Sequence, residues 1–209
     1  MRRLAILGAS GHGKVVGDAA LLAGFEVVEF FDERWPTLGA VGPWRVVGTT
    51  ADLLRAGRDY DGFVVAIGDN RTRLARHASC LGVGLTAATV VHPAAVVSPF
   101  ARIGAGCVVF AGAVINPFAV LGEACIVNTG ATIDHDCVLA AGVHVSPGAH
   151  LAGAVNVGEA TWIGIGAVVR QGIEIGADVL VGAGAAVVSH VAAGLTVLGV
   201  PARPTDVAP

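Results

Sequence analysis

From Val91 to Val187 an aliphatic residue recurs at every sixth position, through Val97, Ile103, Val109, Ile115, Leu121, Val127, Ile133 and Leu139 and onward without an exception. An α-helix repeats every 3.6 residues and a strand every 2, so neither element produces this pattern. Four places after each aliphatic stands a small or compact residue, as at Ala95, Ala101, Cys107, Ala113 and Ala119. A chain wound into a triangular prism has this period: each hexad makes one flat side with its aliphatic residue inside, and three hexads close a turn of eighteen residues. The expected fold is therefore a parallel β-helix. Residues 103–122 carry no charge and are long enough to cross a bilayer, yet the six-residue period is foreign to a membrane helix. The mean hydropathy of +0.72 then reflects a core extended along an axis.

The first ninety residues alternate strand and helix patterns. RRLAILGA, EVVEFFDE and DGFVVAIGDN read as strands. KVVGDAALLAG, TTADLLRAG with a Thr cap, and RTRLARHASCLG read as helices. That alternation implies a small parallel sheet, a Rossmann-like α/β domain over residues 1–88, with the β-helix over 89–209. Gly8, Gly11 and Gly13 fall where the first strand turns into the first helix, the place where a nucleotide phosphate approaches backbone N–H groups. Their spacing is GxxGxG, not GxGxxG, and Asp32 ends the second strand, so a dinucleotide fingerprint fits loosely. A redox enzyme would also need a catalytic domain that a β-helix does not supply.

Thirteen basic and sixteen acidic side chains give a net charge of −3, with no broad cationic face for nucleic acid or an anionic membrane. Lys14 is the only lysine, so an anionic ligand must be held by arginines or helix N-termini, and Arg71 and Arg73 could offset a diphosphate unless they are merely solvated. The N-terminal run is cut by glycines and no small-residue cleavage site follows, which predicts no secretory leader and a cytoplasmic protein. Cys80, Cys107, Cys125 and Cys137 form no CxxC pair and are expected as reduced, buried thiols.

The stretch NTGATIDHDCVLAAGVHVSPG, residues 128–148, sets two histidines and two aspartates in strongly apolar surroundings. His135 stands two residues after the inward Ile133, at a corner facing outward. Eighteen-residue stacking puts Pro117 and Gly153 on either side, and Gly153 leaves space beside the imidazole. A histidine titrating near neutral pH beside a groove suits a general base. By the same register His144 lies between Ile126 and Trp162.

The hexads over roughly 91–200 and the closing segment LTVLGVPARPTDV resemble the hexapeptide-repeat acyltransferases. GASGHGKV, AIGDN, NTGATIDHDC and HVSPGAHLAG together narrow the resemblance to sugar acetyltransferases of the NeuD and PglD type. The resemblance implies a left-handed β-helix, a homotrimer binding acetyl-coenzyme A between neighbouring β-helices, and a role in glycan biosynthesis. It implies N-acetylation of a nucleotide-linked 4-amino-4,6-dideoxy sugar, with sialic acid-type O-acetylation as the alternative and the carrier, UDP or GDP, left open. It assigns the base to His135 and its partner to Asp136. Acetyl-coenzyme A contacts fall to His144, Ile165 and Ala183, and substrate contacts to Ser10, Gly11, His12, Asp32, Glu33, Asp69 and Asn128. No metal is expected, although His135, His144 and His150 make a trimeric zinc carbonic anhydrase conceivable, and a non-catalytic nucleotide-sugar scaffold is the other rival. Outward Val108, Phe110 and Phe118 are expected to be covered by a neighbouring subunit.

Overall fold

A computed structural model describes residues 1–205, which divide into two compact units, 1–93 with 105–107, and 94–104 with 108 onward. In the first unit the elements are β1 (Arg3–Leu7), α1 (Gly11–Leu22), β2 (Val27–Phe31), β3 (Ala40–Val41), β4 (Trp44–Gly48), α2 (Thr50–Ala56), β5 (Gly62–Val65) and α3 (Asn70–Gly82). The sheet runs in the order β3-β4-β2-β1-β5, parallel throughout except where β3 meets β4. β1 is central, and Leu4, Ala5, Ile6 and Leu7 are all buried, as a strand covered on both faces requires. α2 starts at a capping box in which Thr49 accepts from the Asp52 N–H and Asp52 accepts from the Thr49 N–H.

Two findings differ from the sequence reading. β3 and β4 were hidden because Pro36, Gly39, Gly42 and Pro43 break up a segment too short to show a period. α1 begins at Gly11, so GHG forms its first turn instead of a loop. The cause is close packing: a Cβ at Gly13 would lie 2.2 Å from the carbonyl oxygen of Gly8, which itself has φ +112°.

The second unit is the parallel β-helix. Two-residue strands stack into three faces. Face one carries Val114–Ile115, Thr132–Ile133 and His150–Leu151; face two carries Val120–Leu121, Val138–Leu139 and Asn156–Val157; face three carries Ile126–Val127, His144–Val145 and Trp162–Ile163. Each strand pairs in register with the one eighteen residues later, as in Thr132 with His150 and His144 with Trp162. The aliphatic series is buried from Val109 to Val187, with the compact residues Cys107, Ala113, Cys125 and Cys137 beside it. All four cysteines are buried and none is in a disulfide. At every sixth residue from Gly112 to Gly184 the chain turns a corner with φ near +60°. Where glycine is absent Phe118, Ala124, Asp136, Ala154, Ala160 and Asp178 take that conformation.

The coil ends in an antiparallel pair, Thr196–Leu198 with Arg203–Thr205; Asp206 and Val207 of the closing segment lie outside the described residues. Val108 and Phe110 correct an expectation, because each is only 1% exposed within this single chain, while Phe118 stays 61% exposed. Their own chain covers the first two, and of the three only Phe118 stays open. Among the described residues no helix is long and apolar enough to cross a membrane.

Candidate functional site

The C-terminal ends of β1, β2 and β5 open onto a cavity of about 340 Å³ in the first unit, lined among others by Gly8, Ser10, Asp32, Glu33, Thr50 and Arg76. It lies where the strand order reverses, β1 leading through α1 to β2 on one side while β4 leads through α2 to β5 on the other, which is the usual ligand crevice of such sheets. Ser10 is the N-cap of α1 and its side chain makes no cap hydrogen bond to the helix. Nothing stands within 4 Å of a Cβ built on Gly11.

The predicted acids are already engaged. Asp32 accepts from the Ala9 N–H at 2.8 Å and from Arg34 Nε at 2.7 Å, and the Arg34 guanidinium holds its carboxyl well below the usual range. Glu33 accepts from the Thr50 hydroxyl and faces Arg76 at 3.7 Å. Asp69 caps α3 by accepting the Thr72 N–H at 2.8 Å and is not among the cavity-lining residues. Arg73 departs furthest from expectation: it is 1% exposed and donates to the Ile67 and Gly68 carbonyls at 3.0 and 3.1 Å and to Asn70 Oδ1 at 2.8 Å. It fixes the backbone of the cavity wall instead of meeting solvent or phosphate, and Arg71 is exposed. Burial, and then the charge of Arg73, push the His12 imidazole down to about 4, so it is neutral at neutral pH.

In the second unit His135 and Asp136 stand at the corner between faces one and two, both exposed. His135 Nδ1 and Asp136 Oδ2 are 2.8 Å apart, which leaves Nε2 as the nitrogen not engaged by Asp136. The left-handed backbone of Asp136, φ +59°, is one that Asp tolerates, and in this conformation its carboxylate meets the ring of the preceding residue. Asp136 first, and Asp134 as a further charge, raise the His135 pKa above its ordinary value. The imidazole lies over Gly153, where a Cβ would come within 2.6 Å of Cε1 and Nε2. The space expected beside the ring is thus filled by the ring itself. Cys137 next door is buried, donates to the Ala152 carbonyl at 3.2 Å, and has its thiol pKa pushed up by burial.

His144 and Asn128 form a separate group on and beside face three, across the coil from that corner. His144 is 6% exposed and stacks on Trp162 with centroids 4.9 Å apart and planes 21° from parallel. Asn128 Oδ1 accepts the Thr129 N–H, so its amide nitrogen is turned to His144 Nε2, 3.3 Å away, and the neutral tautomer with hydrogen on Nδ1 fits. Trp162 Nε1 is held by the Ser146 hydroxyl at 2.7 Å. Ile165, 57% exposed, and Ala183 stack at the neighbouring corner, the Gly184 N–H reaching the Ile165 carbonyl. The sequence-predicted residues therefore fall into three groups. Thr50 and Arg76 escaped the sequence reading, whereas the eighteen-residue register had already set Trp162 against His144. Among the described residues no group of three or more His, Cys, Asp or Glu side chains could hold a metal.

Residues 3–79 match the PglD N-terminal domain family. The acetyltransferase domain of PglB from Neisseria gonorrhoeae, in complex with acetyl coenzyme A, is 44% identical, with 98% of this chain and 99% of that one covered at a TM-score of 0.94. The chain belongs to the hexapeptide-repeat sugar acetyltransferases. A histidine variant of perosamine N-acetyltransferase from Caulobacter crescentus, in complex with CoA and GDP-perosamine, is 38% identical over 99% and 98% of the two chains, TM-score 0.95. WeeI from Acinetobacter baumannii is 26% identical over 98% and 100%, TM-score 0.88. Comparison with curated protein sequences returns no match. As a member of this family the protein is an acetyltransferase. Gly153→Ala should push the His135 ring aside by roughly 1 Å, and displacements of that size cost on the order of 10²-fold in rate. Acetyl transfer should fall accordingly while the melting temperature stays near wild type, because the displaced group is a side chain and not backbone.

Proposed function

We propose that the chain transfers the acetyl group of acetyl-coenzyme A to the amino group of a nucleotide-linked 4-amino-4,6-dideoxy sugar, with His135 as general base. Residues 1–88 hold the nucleotide-sugar, with Ser10, Gly11, His12, Asp32, Glu33 and Asp69 on that side, and 89–209 carry acetyl transfer. The observation that carries the reading is the exposed His135–Asp136 pair at 2.8 Å, which engages Nδ1 and not Nε2. The relatives bound to acetyl coenzyme A and to CoA with GDP-perosamine support the two substrates.

The amine lone pair attacks the thioester carbonyl and forms the N–C bond. The nitrogen becomes cationic, and His135 Nε2 takes its proton. Collapse of the tetrahedral adduct breaks the C–S bond, and the thiolate leaving group takes back a proton from the imidazolium. Asp136 stabilises that imidazolium. No acyl-enzyme is needed, and the buried Cys137 thiol is a poor nucleophile.

General-base catalysis supplies ~10²–10⁴-fold, so His135→Ala should lower kcat by that order with little change in either KM. Asp136→Asn keeps a side chain that tolerates the left-handed corner and removes the charge. Its acidic limb in the pH–rate profile should move to lower pH, since the imidazolium loses its main partner. Cys137→Ala should stay active. Near wild-type turnover by His135→Ala, measured as thiol release with a panel of UDP- and GDP-linked amino sugars, would refute the base.

A Cβ at Gly11 meets nothing within 4 Å, and Gly11→Leu places bulk at the helix N-terminus next to Ser10 of the first-unit cavity. It should raise the KM for the sugar nucleotide several-fold while leaving that for acetyl-coenzyme A nearly unchanged.

The same reading makes the enzyme a homotrimer. His135 sits at one corner of the coil and the His144, Ile165 and Ala183 group on the far side, so one groove containing both needs a second copy. Exposed Val96, Phe100 and Phe118 supply apolar surface for that contact, with the two phenyl centroids 5.8 Å apart. Light scattering at micromolar concentration should give three times the monomer mass, and a monomer would exclude the shared groove.

A further inference from the structure

We infer that Asp134 is a positioning residue for acetyl transfer, clamping the His135 backbone while setting a second negative charge beside its ring, and that Asn116 one coil away holds it there. The inference rests on His135 being the base. Along face one the coil-to-coil ladder takes the N–H of Asp134, which reaches the Leu151 carbonyl at 3.0 Å. At the corner the Asp136 N–H turns back to the Pro117 carbonyl at 3.3 Å. The intervening His135 N–H goes instead to Asp134 Oδ1 at 2.8 Å. The same oxygen accepts from Asn116 Nδ2 at 2.8 Å.

Asn116 stands eighteen residues before Asp134, so the two are vertical neighbours, and its own N–H is tied to the Ile133 carbonyl at 2.9 Å. Asp134 is therefore fixed from below through Asn116 and from above through the ladder, and it pins the one corner amide that the ladder leaves out. The residues stacked on His135 itself, Pro117 and Gly153, are uncharged. Asp136 meets the ring at Nδ1, and the Asp134 carboxylate, held on the backbone N–H of the same histidine, adds a second nearby negative charge. Both favour the imidazolium that forms as the amine loses its proton.

Asp134→Asn and Asp134→Ala separate the two effects. The asparagine keeps an oxygen for the His135 N–H and for Asn116 but loses the charge; the alanine loses both. With Asp134→Asn, the plateau kcat should stay within about 2-fold of wild type, and the acidic limb should move to lower pH by the charge effect alone. The His135 ring titration followed by NMR should move down with it. With Asp134→Ala the same shift should be joined by a plateau loss on the order of 10-fold, with both KM values unchanged. Asn116→Ala, which leaves Asp134 in place but unheld, should lower the plateau with little shift of the limb, and serves if Asp134→Ala fails to fold.

Wild-type limb and NMR titration in Asp134→Asn would overturn the charge effect. A wild-type plateau in both Asp134→Ala and Asn116→Ala would overturn the clamp. Failure of the base reading is separate: it shows as activity in His135→Ala, and the NMR titration reports on Asp134 whether or not His135 is the base.

Discussion

The parallel backbone ladder that ties each residue to the coil eighteen positions on is the constraint from which the second unit follows. It demands that the same inward site be filled at every hexad, which is why aliphatic and small residues alternate inside without a break. It also fixes columns outside the prism, so that a side chain at one corner has a known neighbour above and below. His135 rests on Gly153 because of that register, and Asp134 meets Asn116 for the same reason. Corners need a left-handed residue, and at Asp136 an aspartate occupies the place glycine takes at most of them. A requirement of winding thus sets a carboxylate against the imidazole of the preceding residue.

Two histidines show how environment, not residue type, sets the chemistry. His12 is withdrawn from water beside a guanidinium and falls to about 4, so it enters neutral-pH chemistry only as an uncharged hydrogen-bonding ring. His135 is exposed with a carboxylate on Nδ1, and its pKa moves up. The first environment suits contact with an uncharged part of a ligand; the second suits taking a proton. The arginines divide in the same way. Arg73 is buried to hold loop carbonyls, Arg34 is bound to Asp32, and Arg76 lines the cavity.

Much of the fold was legible because its signals are local or strictly periodic. Strands β1, β2 and β5, the Thr49 cap and the eighteen-residue coil all came from pattern, and the His135–Asp136 pairing came from adjacency in the sequence. β3 and β4 were not legible, since two to five residues among breakers carry no period. Arg73 looked solvated because it stands in a polar helix, and only the packing of α3 against β5 turns it inward.

The sequence by itself determined the winding of the coil, the place of His135 at a corner and the identity of its neighbours at plus and minus eighteen. Burial of an inward residue repeats at fixed spacing, and so it is written directly in composition along the chain. Tertiary structure alone decided that Asp32 and Glu33 are spoken for by Arg34, Thr50 and Arg76, and that Asn128 belongs with His144 and not with His135. A hydrogen bond is made at about 3 Å between specific atoms, and no spacing in the sequence records which polar groups come that close.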